Sequence, residues 1–228
     1  MITQEKIDAD IKKEYAGSEY ESEKVTLATE AMRIGIDFYS FSPEYSGGVN
    51  TFALGLLRGL LSNLDKSDSV VIIISKKNED NIKSILGNVP VTFVIIPVRK
   101  LSRYINRIIW LFAWLIQNFK LRFWFDKYFR LSTMSIIDKS VDVLLVPTTL
   151  LNFYALKVPL VLCIHDIQQE YHPELFNFME RILRWGLYRL SCWKADSIQA
   201  SSNYIKDCLI EKFKFIEPKK IFIAYEGV

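Results

Sequence analysis

The sequence predicts an α/β fold: a Rossmann-like, doubly wound, mostly parallel sheet with helices on both faces. Two observations carry this. Short β-branched runs alternate with segments of helical periodicity along most of the chain. The runs are near-continuously apolar rather than alternating, which is how parallel strands covered on both faces read. The chain is also long enough for such a core. Its 228 residues are 50% hydrophobic and 24% charged, which excludes disordered, collagen-like and low-complexity classes.

The strands come in order. RIGIDFY (33–39) reads as the first. Val49, Phe52, Ala53, Leu56, Leu57, Leu60 and Leu61 then fall on one helical face at steps of three and four. SVVIIIS (69–75), VTFVIIP (91–97), VDVLLVP (141–147) and PLVLCIH (159–165) are further strands, and SIQAS (197–201) and KIFIAY (220–225) are weaker ones. Helical patterns lie near 101–138, 177–194 and 202–214. Residues 1–31 stand apart. They hold eight acidic and four basic residues without an apolar pattern, so the expectation is a polar, disordered extension before a domain at 32–228, with Met1 or Met32 as the start.

Composition narrows the function. The net charge of +3 is too small for a general nucleic-acid binder. Three cysteines without a CxxC argue against a disulfide framework or a zinc module, and with only two histidines no metal is expected. The first residues lack the apolar core of a secretory signal. The longest apolar run, Ile108 to Ile116, has nine residues, whereas a spanning helix needs about 20. The expected location is cytoplasmic, with a peripheral position on the inner membrane face as the variant that one segment adds. That segment, 98–130, carries eight basic residues, one acidic residue and ten aromatics. Arg103, Arg107, Trp110 and Trp114 lie opposite the apolar stripe of its helical pattern, as an anionic membrane surface would require. A helix packed in the core or against a partner domain reads equally from the same residues.

Three stretches could carry chemistry. In SPEYSGGVNTF (42–52), Gly47 and Gly48 occupy a strand–loop–helix turn, where free N–H groups and the helix dipole favour an anion. A plain loop glycine pair reads as well, and neither GxGxxG nor GxxxxGK[ST] is present, which counts against a nicotinamide-dependent oxidoreductase. Asp37 ends the first strand beside the same crevice, as a ligand contact or a loop-capping carboxylate. His165 and Asp166 end a buried strand, where ligands of open α/β sheets bind. The histidine can donate to a sugar hydroxyl and the carboxylate can accept from one; a structural His-Asp turn is the alternative. His172 and Glu174 beyond them suit a rim or lid. Ser201 or Ser202 fits a helix N-cap, and Ser202 also suits a phosphate contact. No catalytic triad and no metal-ligand spacing is readable.

Taken together, GIDFYSFSPEYSGGVNTFALGLLRGL, VLCIHDIQQEYHPELF and YRLSCWKADSIQASSNYIKDCLIEKFKFIEPKKIFIAYEGV resemble, in order and spacing, the retaining glycosyltransferases of family 4. The resemblance covers about residues 32–228 and implies the N-terminal half of a GT-B architecture, the acceptor side of a two-domain cleft. It implies a nucleotide-sugar donor, a glycan or lipid-linked acceptor in cell-surface polysaccharide synthesis, and no metal. It matches Gly47 and Gly48 to the turn approaching the donor diphosphate, His165 to the histidine near the transferred sugar, Asp166 to its neighbour, and Ser202 to the serine opening a later helix. Gln169 departs from the second histidine of many relatives, and Glu226 from a frequent asparagine. The donor domain is expected beyond Val228 or on a separate subunit, and the chain alone is expected to be inactive. A non-catalytic docking module or split-enzyme subunit is the alternative.

Overall fold

The computed structural model describes residues 31–41, 47–97, 108 and 132–225. Arg103, Arg107, Trp110, Trp114 and residues 1–30 therefore lie outside the described residues, as does Glu226. The described strands are β1 (Arg33–Asp37), β2 (Ser69–Ser75), β3 (Thr92–Ile96), β4 (Val143–Val146), β5 (Leu160–Ile164), β6 (Ser197–Ala200) and β7 (Ile221–Ile223). All six pairings are parallel, and the sheet order is β3-β2-β1-β4-β5-β6-β7. The helices are α1 (Gly48–Asn63), α2 (Glu79–Leu86), α3 (Ser132–Ser140), α4 (Gln168–Tyr171), α5 (Phe178–Lys194) and α6 (Asn203–Lys212).

Each apolar run read from the sequence contains a strand of this sheet. Alternate residues of β2 show why the run is continuous. Val70, Ile72 and Ile74 pack with Ala53 and Leu57 of α1 and Ile82 of α2. Val71 and Ile73 pack on the opposite face, in the cluster that holds Met134 of α3, Leu190 of α5 and Leu209 of α6. Both faces of the strand are thus covered, and neither register position can be polar.

Helix α2 was not among the helical patterns read from the sequence. Its eight residues span only about two turns, so the repeat of Ile82, Ile85 and Leu86 is too short to stand out, and Ile82 alone is buried. Its support is electrostatic instead: Glu79 bonds Lys76 at 2.6 Å and Lys83 at 2.7 Å. On α1, Ala53 and Leu57 are buried as expected, but Val49 is 38% exposed in the first turn. Helix α5 begins at a capping box, in which Asn177 Oδ1 accepts from Glu180 N at 2.9 Å and Glu180 Oε2 accepts from Asn177 N at 3.3 Å. Among the described residues, no helix is long and apolar enough to cross a membrane.

The amino-terminal edge of the sheet is tied by aspartates that immediately precede strands. Asp68 accepts from Met32 N at 2.9 Å, Asp142 from Arg33 N at 2.8 Å, and Asp196 from Leu160 N at 2.9 Å. In each case the carboxylate satisfies an N–H at or just before the start of the adjacent strand, a group the ladder leaves open. Asp142 also pairs with the Arg33 guanidinium at 2.7 Å, which holds its carboxyl below the usual range. That contribution is present above the ordinary aspartate value of about 3.9 and is lost as pH falls through the lower folded value. Asp142→Asn is therefore expected to lower the melting temperature modestly at neutral pH, and the gap from wild type should close on acidification below about pH 4. Thermal melts between neutral and acid pH check this.

Gly35 lies buried in the central strand β1. A Cβ there would lie 2.8 Å from Val141 Cγ1 and 2.9 Å from Leu144 Cδ1. Gly35→Ala is expected to destabilise by about 1–3 kcal/mol, because the β-branched Val141 has little rotamer freedom to move away. Denaturant unfolding measures it.

Candidate active site at the switch point of the sheet

In the sheet order, β1 and β4 are neighbours whose chains leave in opposite directions, β1 toward β2 and β4 toward β5. The carboxyl ends of such strands open a crevice, which is where open α/β sheets bind ligands. The residues singled out in the sequence fall on elements that end or begin at this edge.

Asp37 closes β1 and is 2% exposed. Its Oδ1 accepts from Tyr39 N at 2.9 Å, and its Oδ2 accepts from Asn152 Nδ2 at 3.0 Å. Asn152 Oδ1 in turn accepts from Ser40 Oγ at 2.6 Å. Of the two roles open for Asp37, loop organisation is the one its contacts show: it binds the chain leaving β1 to the chain leaving β4. Asn152 and Ser40 were not singled out in the sequence. The available signal was an asparagine inside the apolar stretch TTLLNFYAL, since a polar group buried there must find partners.

His165 directly follows β5. Its Nε2 lies 2.8 Å from the Pro147 carbonyl oxygen just beyond β4. A carbonyl oxygen only accepts, so Nε2 carries the proton and donates, and in the neutral ring Nδ1 is the acceptor. The expectation that the ring donates to a sugar hydroxyl is thereby restricted: the Nε2 proton already has a partner, and donation through Nδ1 requires the imidazolium. Phe52 of α1 meets the ring edge-on, with centroids 4.7 Å apart and planes at 79°. That contact brings the helix begun by the glycine pair against the His-Asp segment, 113 residues later in the chain. Asp166 is exposed, and its Oδ1 accepts from Gln168 N at 3.2 Å, starting the turn into α4. His172 and Glu174 pair at 3.2 Å on the exposed rim beyond.

Gly47 caps α1 in extended conformation, with φ −106° and ψ 160°. Gly47 offers no side-chain cap and the first turn holds no acidic residue, while Asn50 N and Thr51 N bond the Gly47 carbonyl at 3.0 and 3.3 Å. A Cβ at Gly47 or Gly48 would meet nothing within 4 Å. Neither glycine is therefore required by packing or by backbone conformation.

Ser202 is the N-cap of α6, its Oγ accepting from Ile205 N at 3.2 Å. Its neighbour Ser201 donates from Oγ to the His165 carbonyl at 3.1 Å, lacing the end of β6 to the end of β5. Of the serine pair, capping falls to Ser202 and strand linking to Ser201. Among the described residues, no group of three or more His, Cys, Asp or Glu side chains could hold a metal ion. The three cysteines are buried and outside any disulfide, and burial pushes the Cys192 thiol far up.

Gly48→Ala is expected to leave the melting temperature unchanged or slightly raised, since alanine meets open space and favours helix, whereas Gly47→Ala should lower it slightly, because alanine is a poorer N-cap than glycine. Any loss of ligand binding in these variants then reports directly on the space in front of the helix. Thermal melts paired with a nucleotide-sugar titration separate the two effects.

Residues 46–228 match the family model described as Glycosyltransferase Family 4. A crystal structure of a glycosyltransferase from Rickettsia africae ESF-5 is similar at 16% identity and TM-score 0.45, over 87% of this chain and 44% of that one. The chain thus spans less than half the length of that protein. No curated protein sequence matches. With the family model covering most of its length, the chain belongs to glycosyltransferase family 4.

Proposed function

We propose that residues 32–228 form the acceptor side of a retaining glycosyltransferase of GT-B architecture. In this reading, sugar passes from a nucleotide-sugar donor to a glycan or lipid-linked acceptor of cell-surface polysaccharide synthesis. The observation that carries the reading is the meeting of α1 and His165 through Phe52 at the switch point. It joins an uncapped helix start, suited to a donor phosphate, to a His-Asp pair at a strand end, suited to sugar hydroxyls.

The roles follow from the contacts. The N–H groups at Gly47 and Gly48 face the donor diphosphate. His165, held by the Pro147 carbonyl, stands beside the transferred sugar. The exposed Asp166 accepts from a hydroxyl. Asp37 and Asn152 are positioning residues that fix the two loops framing the crevice, and Ser202 sets the start of α6. A donor-binding domain, in the same polypeptide or on a partner, completes the cleft. No metal is needed where helix N–H groups stabilise the leaving diphosphate.

The test is product formation, read by mass spectrometry, with UDP- and GDP-sugars and lipid-linked acceptor extracted from the producing cell. The purified 228-residue chain is expected to show no turnover by itself. Turnover at ordinary enzymatic rates, about 1 per second or more, by this chain alone overturns the half-site reading. Once a donor domain is supplied, His165→Ala is expected to lower the rate by about 10²-fold or more. An unchanged rate removes His165 from the site.

A further inference from the structure

We infer that the cleft between α4 and the first half of α5 is a saccharide subsite, which holds a sugar ring of the acceptor beyond the one that reacts. The inference rests on the acceptor-side reading above and adds a second contact region to it. The cleft has a volume of about 330 Å³, and its walls include Gln169, Pro173, Phe178, Arg181, Ile182 and Trp185. This lies at the lower end of small-molecule sites, about 300–1,000 Å³.

Gln169 is the observation that asks for a ligand. The residue is 6% exposed, and neither its Oε1 nor its Nε2 has a hydrogen-bond partner. A buried amide lacking both a donor and an acceptor is costly, and such groups are rare in folded proteins. Apolar packing alone would be served better by leucine at this position. The amide supplies one acceptor and two donors, which matches the hydroxyls on a pyranose edge.

The remaining walls match the rest of a sugar. Phe178 is 73% exposed, offering aromatic surface to the C–H face of a pyranose, and Trp185, 44% exposed, lines the cleft with Arg189 5.0 Å over its ring. Arg181 is exposed and makes no ion pair among the described residues, so its guanidinium is available at the mouth. The cleft is held open by a rigid clamp. Glu170 on α4 takes a bidentate bond from Arg189 on α5, at 2.6 and 2.8 Å, and Arg189 also lies 4.6 Å over the Phe213 ring. Because Arg189 occupies both Glu170 oxygens, that carboxylate does not repel an acidic sugar. The cleft directly follows His165 and Asp166 in the chain, as a subsite for a longer acceptor would.

The test is saturation-transfer NMR on the full 228-residue chain. The probes are the methyl glycosides of glucose, galactose, mannose and N-acetylglucosamine, glucuronic acid, and uridine and guanosine as controls. The expected result is transfer to at least one saccharide, with affinity lowered about tenfold or more in both Gln169→Leu and Trp185→Ala. Gln169→Leu should at the same time raise the melting temperature by about 2–4 °C, because it removes an unsatisfied amide. A lowered melting temperature shows instead that the amide serves the fold and overturns the inference. So does the absence of transfer from every saccharide, or transfer from the nucleosides alone. Saccharide signal lost in His165→Ala but kept in both cleft variants overturns the cleft and leaves the transferase reading standing. Cleft-dependent saccharide binding without transfer in the product assay, once a donor domain is supplied, supports the cleft and overturns the transferase reading.

Discussion

The carboxylate of Asp37 constrains the whole carboxyl edge of this sheet. A charge at 2% exposure is tolerable only if hydrogen bonds replace its water. The partners it takes, Tyr39 N and Asn152 Nδ2, belong to the two loops that diverge at the switch point. Satisfying one carboxylate thus fixes where the chain goes after β1 and after β4, and the crevice between them is the space left over. The loop after β1 is then closed by stacking of Phe38 on Phe41, with centroids 4.9 Å apart, and by Asn78 Nδ2 donating to the Phe41 carbonyl. Residues leaving β2 therefore support the same wall.

The two edges of the sheet use acidic groups differently. At the amino edge, Asp68, Asp142 and Asp196 each accept from a backbone N–H at the start of the adjacent strand. The spacing is regular because each aspartate directly precedes its own strand, so register alone places it. At the carboxyl edge the polar groups are irregular in type and partner: His165 on a carbonyl, Ser201 on the His165 carbonyl, Asn152 between Asp37 and Ser40. Repetition is what ladder geometry requires, and irregularity is what a particular ligand requires.

This contrast explains what could be read from the sequence. The strands were legible because parallel strands buried on both faces leave long β-branched runs that little else produces. Helix α5 was legible through its long periodic pattern, whereas α2 was not, since its eight residues leave Ile82, Ile85 and Leu86 as too short an apolar repeat. Of the site, the positions of His165 and Asp166 followed from their place at a strand end. The partners did not follow. Asn152 reaches Asp37 across 115 residues, and Pro147 reaches His165 across 18. Such pairings depend on which strands become neighbours, and local pattern carries no record of that. Gln169 was visible in the sequence only as a departure from its relatives; its missing partners appear once the fold surrounds it.

Several features at the carboxyl edge are locally poor choices for stability, and they fall on one side of the molecule. Helices α5 and α6 open with side-chain caps from Asn177 and Ser202, whereas the N-cap of α1 is Gly47, which has no side chain to cap with. Glycine there forgoes about a few tenths of a kcal/mol relative to serine or asparagine. The glycines themselves relieve no clash, since added methyl groups would meet open space. Gln169 keeps a buried amide without partners where an apolar side chain of the same size would fit. A fold selected for stability alone would correct all three, and each correction would be a single substitution. Their persistence along the edge where His165 and Asp166 stand fits one account: the missing partners are supplied by what binds there. Under the proposed function, a helix start would take an anion and the Gln169 amide would take hydroxyls. A nucleotide-sugar and a glycan present these two kinds of group.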